Sequence, residues 1–139
     1  MKVSTSSWIH RTIRRLDRFE DKRDNGDLLK GYAHIGTEIL GVYRNLKDNC
    51  AKEILVTDVS LIILGEDGRI DVAFNEIVDI KGPEKGTGGN IVIKLRNGRT
   101  IRFTISGKHG RFEDVFTFLR FLDRVVESEG TAMDNAEKD

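Results

Sequence analysis

Two stretches decide the fold: Leu61-Ile62-Ile63-Leu64-Gly65-Glu66-Asp67-Gly68-Arg69-Ile70-Asp71-Val72, and Ile91-Val92-Ile93-Lys94-Leu95-Arg96-Asn97-Gly98-Arg99-Thr100-Ile101-Arg102-Phe103. Each is a β-branched apolar run, a short polar segment ending in glycine, and a second apolar run, which is the pattern of a β-hairpin. In the second stretch parity chooses the register. A two-residue Asn97-Gly98 turn would set Lys94 beside Ile101, a charge and an apolar side chain on one face. A three-residue loop of Arg96-Asn97-Gly98, with Gly98 left-handed, instead pairs Ile93 with Ile101 and Ile91 with Phe103. The same loop type at Glu66-Asp67-Gly68 pairs Leu64 with Ile70 and Ile62 with Val72. That choice leaves Leu61 and Ile63 pointing away and in need of a cover, either the apolar side of the N-terminal segment or another subunit.

Further strands are expected at Ile54 to Thr57, Ile77 to Ile80 and, less regularly, Leu28 to Ile35 and Glu38 to Leu46. The chain before them, from Ser7 to about Arg23, has helical periodicity. Trp8, Ile9, Ile13, Leu16 and Phe19 gather on one side and Arg11, Arg14, Arg15, Arg18 and Lys22 on the other. A break follows at Asp24-Asn25-Gly26-Asp27. After Ser106-Gly107-Lys108-His109-Gly110 a second helix is predicted from about Arg111 to Ser128. Phe112, Val115, Phe116, Leu119, Leu122 and Val126 form its main apolar stripe, widened by Phe118, Phe121 and Val125. So wide a stripe implies burial on two sides. The expected organisation is therefore residues 1–27 as an amphipathic helix and break, 28–128 as a strand-rich domain, and 129–139 as an acidic disordered tail.

Composition narrows the class of function. The chain has 139 residues with 23 basic and 23 acidic side chains, one cysteine and one proline. That length suits one domain with a core that holds without disulfides or metal. A single cysteine cannot bridge internally, the N-terminus lacks the apolar core of a signal peptide, and no run is long enough to span a membrane. A cytoplasmic location is expected. The zero net charge is a sum of unlike segments: Glu53 to Glu84 holds eight acidic and two basic residues, and Ile91 to Arg111 holds six basic residues and no acid.

The order of elements and the local wording resemble the bacterial pleckstrin-homology (PH) family and the related GRAM domains. The resemblance is carried by Thr37-Glu38-Ile39-Leu40, by Val42-Tyr43-Arg44-Asn45-Leu46-Lys47-Asp48, by Ile54-Leu55-Val56-Thr57-Asp58-Val59-Ser60-Leu61-Ile62-Ile63-Leu64, and by Ala73-Phe74-Asn75-Glu76-Ile77-Val78-Asp79-Ile80. It implies a mainly β fold, a seven-stranded PH-like barrel or pair of orthogonal sheets capped by a C-terminal helix, with the N-terminal helix as an addition. It further implies a binding or scaffolding module with no catalytic residue and no cofactor. Phosphoinositide binding is not expected, because the first hairpin offers only Arg44, Lys47 and Lys52, diluted by Asp48 and Glu53.

Two sets of surface residues follow as candidates. Leu61, Ile63, Phe118, Phe121 and Val125 are candidates for a partner or self-association interface, the alternative being that the N-terminal helix covers them. Arg11, Arg14, Arg15, Arg18, Lys94, Arg102 and Lys85 are candidates for contact with an anion, weighed against ordinary solvated surface. Lys85 lies in Gly82-Pro83-Glu84-Lys85-Gly86-Thr87-Gly88-Gly89-Asn90, which lacks the Lys-Ser/Thr and following helix of a phosphate loop. Cys50, His10, His34 and His109 show no metal-ligand spacing, and no metal is expected. The partner expected is a protein or a second copy, without nucleic acid and with membrane contact at most peripheral.

Overall fold

The computed structural model describes residues 3–16, 18–23, 30–45, 51–65, 68–83, 90–106 and 113–138; side chains at 33–34, 51–52, 113 and 130–138 fall outside the description. The fold is mainly β. Strands β1 (Phe19–Asp21), β2 (Gly41–Arg44), β3 (Ala51–Val56), β4 (Ser60–Gly65) and β5 (Gly68–Ala73) form one antiparallel sheet in sequential order. Strands β6 (Ile77–Lys81), β7 (Asn90–Leu95) and β8 (Thr100–Thr104) form a second. Helices α1 (Thr5–Arg11) and α2 (Glu113–Lys138) begin and end the chain. Of the two expected forms, a seven-stranded barrel or a pair of sheets, the described residues form two sheets, of five and three strands, with no closed barrel among them.

The N-terminal helix is much shorter than its periodicity implies. Ser4 caps α1 by accepting from the Ser7 amide at 3.2 Å. The helix stops at Thr12, whose hydroxyl donates back to the Trp8 carbonyl at 2.5 Å and whose backbone leaves helical geometry. A 3-10 turn at Ile13–Arg15 follows, and Phe19–Asp21 then pairs with β2. A helix this short gains little from its own hydrogen bonds, so the open backbone edge of β2 competes successfully for residues 19–21. Phe19 fixes the docking: its ring lies against Gly41, and a side-chain carbon there would overlap it. The apolar periodicity nevertheless identifies the right residues, because Ile9, Ile13, Leu16 and Phe19 are all buried.

The main core lies inside the sheets and under α2. Tyr43, Phe74, Phe103, Phe118 and Phe121 pack edge to face, with ring centres 5.8–6.5 Å apart. Leu61, Ile63, Ile9 and Ile13 belong to the same cluster. Two hydrogen bonds tie the helices in: Trp8 Nε1 donates to Ser128 Oγ at 3.0 Å, and Tyr43 Oη donates to Asp114 Oδ2 at 3.0 Å. Asn45 joins the two sheets, donating to the Thr104 carbonyl at 2.6 Å and accepting from the Ser106 amide at 2.9 Å.

The five-stranded sheet carries a second, smaller core on its outer face. Val42, Leu55 and Ile62 point that way and are covered by Ile35 and Ile39, with Tyr32 and Leu64 at the rim. Here the sequence reading is corrected twice. Lys30–Ile35, expected to be extended, is a 3-10 helix laid over this face. The β4–β5 hairpin pairs Leu61 with Val72 and Ile63 with Ile70, one residue away from the expected register. Leu61 and Ile63 therefore face the main core, while Ile62 and Leu64 face the smaller one.

The β7–β8 hairpin has the expected register, Ile93 with Ile101 and Ile91 with Phe103, around Gly98 at φ 88°. Helix α2 runs to Lys138, past the expected end at Ser128, so the backbone of 129–138 is helical where a disordered tail is expected. Its buried face is Val115, Phe118, Phe121, Leu122 and Val125, and Phe116 is 58% exposed.

Candidate functional site

The structure removes one candidate set and reorganises the other. Leu61, Ile63, Phe118, Phe121 and Val125 are all buried in the main core of the chain itself. The N-terminal segment supplies the cover that Leu61 and Ile63 require, since Ile9 and Ile13 join their cluster. These five side chains offer no open apolar face to a second molecule. The correction has a local cause: the helical face that widens the α2 stripe is the face that meets the sheets.

The basic candidates divide between two places. Arg11, Arg14 and Arg15 are exposed on α1 and the turn after it, but the break at Thr12 takes them off a common helical face. Arg11 stacks over the Trp8 ring at 5.2 Å, Arg14 sits 2.8 Å from His10 Nδ1, and Arg18 donates to the Arg44 carbonyl at 3.3 Å. Lys94 and Arg102 are exposed on the outer face of the three-stranded sheet, where the expected outward orientation holds. Strand register lays two rows across that face: Lys81, Val92 and Arg102, then Asp79, Lys94 and Thr100. Lys81 is a cation that the sequence reading missed; the bulge between Ile77 and Asp79 sets its side. Lys85 lies outside the described residues, as do Cys50 and His109 and the His34 side chain.

The outer faces of the two sheets differ in what they carry. On the five-stranded sheet, Arg44 lies between two carboxylates, paired with Glu20 and 3.9 Å from Glu53. The Tyr32 hydroxyl donates to Glu53 and accepts from Arg44 at 3.4 Å. Burial, and secondarily the charge of Glu20, push the Glu53 carboxyl above its ordinary value. Tyr32 comes from the overlying 3-10 helix, so this cluster fastens that helix to β2 and β3. At the far end of the same sheet, Arg69 makes a bidentate pair with Asp71 at 2.6 and 2.7 Å and donates to the Ile35 carbonyl at 3.1 Å. The Arg69 guanidinium holds the Asp71 carboxyl below its ordinary value.

β5 is the end strand of this sheet, and Gly68, Arg69, Ile70 and Asp71 are all exposed along it. The sequence reading places these residues in a hairpin but does not name them as site candidates. The available signal was the Arg-x-Asp spacing, which on a strand places opposite charges on one face, two positions apart.

Among the described residues, no group of three His, Cys, Asp or Glu side chains gathers as metal ligands do. Among the same residues no helix is long and apolar enough to cross a membrane. Compared with known proteins, the chain matches no family model and no curated sequence.

Proposed function

We propose that the protein is a non-catalytic, PH-like interaction module of the cytoplasm that self-associates or docks on a protein, with self-association the favoured form. Element order supports the PH-like part: β2 to β5 as consecutive antiparallel strands, then β6 to β8 as a second sheet, then α2 packed on the core. In this reading α1 and β1 are additions at the N-terminus. Fold alone is weak warrant for function, so the surface has to carry the argument.

The observation that carries it is the exposed end strand β5. Most of the described large apolar side chains are taken up by the two cores, and those left exposed are Val59, Ile70, Val78 and Phe116. What the described surface offers is backbone at a sheet edge and charge in ordered rows. Contact of that kind suits a reversible interaction module.

The test is sedimentation equilibrium of the purified chain over a wide concentration range. The expected result is a weight-average mass that climbs above the monomer as concentration rises. A single monomer mass throughout would remove self-association.

A second reading, contact with an anionic surface, is favoured by one specific observation: Lys81, Lys94 and Arg102 share the open face of the three-stranded sheet. Asp79 sits opposite Lys94 and reduces the local field. Co-sedimentation with vesicles containing an anionic phospholipid separates the two readings. Binding at low salt that disappears at high salt supports the second, and no binding even at low salt removes it.

A further inference from the structure

We infer that β5 is the self-association site, and that it pairs antiparallel with β5 of a second copy about a two-fold axis through Ile70. This inference rests on the self-association reading above and gives it a strand, a register and a symmetry.

Among the described residues the two sheets have four edges, β1, β5, β6 and β8. An open edge is a template for another strand, and folded proteins blunt such edges with shortness, bulges, covering groups or charge. β1 is only Phe19–Asp21. β6 has a bulge between Ile77 and Asp79, and Leu119 of α2 lies over Gly82 at its end. β8 has its Thr104 carbonyl taken by Asn45. β5 spans Gly68–Ala73 with no bulge and no covering group among its described residues; it does carry charge, but Arg69 and Asp71 are of opposite sign.

The hydrogen-bonding phase of β5 follows from one bond. The Phe74 amide donates to the Val59 carbonyl at 2.9 Å, continuing the register that pairs Ser60 with Ala73. Antiparallel pairs alternate between those that exchange both backbone bonds and those that exchange none. Val72 and Ile70 therefore direct their N–H and C=O groups to β4, and Arg69 and Asp71 direct theirs outward, to the free edge.

An incoming antiparallel strand must meet Arg69 and Asp71 with outward-facing groups of its own. A two-fold axis through Ile70 sets Arg69 opposite Asp71 of the second copy, and Asp71 opposite Arg69 of the second copy. Each such pair exchanges two backbone hydrogen bonds. Both side chains lie on the outer face, so each guanidinium gains a second carboxylate directly across the new boundary. Ile70, 38% exposed, meets Ile70 of the second copy on the other face, in the closer, non-hydrogen-bonded type of pair. The charge pattern Arg-Ile-Asp is thus its own complement under two-fold symmetry.

Proline distinguishes this edge from every other surface. Asp71→Pro removes an N–H that bonds nothing in β4 and leaves the β4–β5 ladder intact. Asp71→Ala, which keeps the N–H, controls for loss of the carboxylate. In sedimentation equilibrium the wild type is expected to dimerise with concentration, Asp71→Ala to dimerise more weakly, and Asp71→Pro to remain monomeric with an unchanged circular dichroism spectrum. Asp71→Arg sets arginine against arginine and is expected to weaken the dimer by roughly tenfold. The double variant Arg69→Asp with Asp71→Arg restores opposite charges in every pair and is expected to recover it, which decides the matter even where the proline variant fails to fold. A wild type that associates equally well as Asp71→Pro and Asp71→Arg overturns edge pairing and leaves self-association standing. A wild type that is monomeric throughout overturns both.

Discussion

The hairpins β4–β5 and β7–β8 have similar sequences and opposite surroundings. β7 alternates in burial: Ile91, Ile93 and Leu95 are buried, and Lys94 between them is exposed. β4 does not alternate, because Leu61, Ile62 and Ile63 are all buried. The cause lies outside the hairpins. The three-stranded sheet has a core on one face and an open outer face. The five-stranded sheet is covered twice, by the main core inside and by the 3-10 helix Lys30–Ile35 outside. A sheet covered on one side declares its register through its polar residues; one covered on both sides has no such marker.

Truncations sharpen this contrast most. Leu61→Ala and Ile62→Ala, adjacent residues on opposite faces of β4, are each expected to cost about 2–5 kcal/mol in urea unfolding. In β7, Ile93→Ala belongs in that same range, while its neighbour Lys94→Ala is expected to stay within about 0.5 kcal/mol of wild type. An Ile62→Ala variant as stable as wild type would mean that the outer cluster is no core at all.

Next in size is the joint between the two sheets. Asn45→Ala leaves the Thr104 carbonyl and the Ser106 amide without their side-chain partner. A loss of about 1–3 kcal/mol is expected, measured by thermal or urea melts. The hairpin turns come after that. Gly98 at φ 88° and Gly68 at φ 121° both hold conformations that a side chain resists. Gly98→Ala is expected to cost about 1–2 kcal/mol, and Gly68→Ala more, since its φ lies further from the left-handed region open to other residues.

The smallest expected effect is in pH dependence, where two carboxylates of the same outer face act in opposite senses. Glu53 has a raised value in the folded protein, so the folded state binds more protons than the unfolded one above the ordinary value of 4.5. Its contribution is fully present below that pH and is lost as pH rises through the raised folded value. Asp71 is lowered from 3.8, so its contribution is present above that pH and is lost as pH falls through the lowered folded value. Glu53→Gln is therefore expected to remove a decline in stability that wild type shows on going from about pH 4 to neutrality. Urea midpoints across a pH series check the sign, and a wild type whose decline survives in the variant contradicts it.

The same contrast explains what could be read from the chain in advance. Strands β3 to β8 announce themselves through β-branched runs and glycine turns, and the β7–β8 register follows from keeping Lys94 off the face that holds Ile101. The β4–β5 register does not, because Leu61 to Leu64 offers no polar residue to mark a face. Helical periodicity from Trp8 to Phe19 finds the buried residues but not the backbone, since the i, i+3, i+4 spacing is met here by a short helix, a 3-10 turn and a strand in succession. Lys30–Ile35 carries no amphipathic pattern long enough to predict a cover over the outer face. The breadth of the α2 stripe is legible, yet which of its sides meets the sheets depends on packing with β6, β7 and α1. Charge was legible in its sums and illegible in its arrangement: Arg69 and Asp71 look like solvated surface until β5 is known to be an end strand.

Amide hydrogen exchange at β5, followed residue by residue at low and high protein concentration, tests the central claim most directly. Arg69 and Asp71 have outward amides, while the Ile70 amide is bonded within the sheet and serves as an internal reference. Exchange at Arg69 and Asp71 is expected to slow as concentration rises, with Ile70 protected at both concentrations. Exchange at Arg69 and Asp71 that is fast and independent of concentration would contradict it.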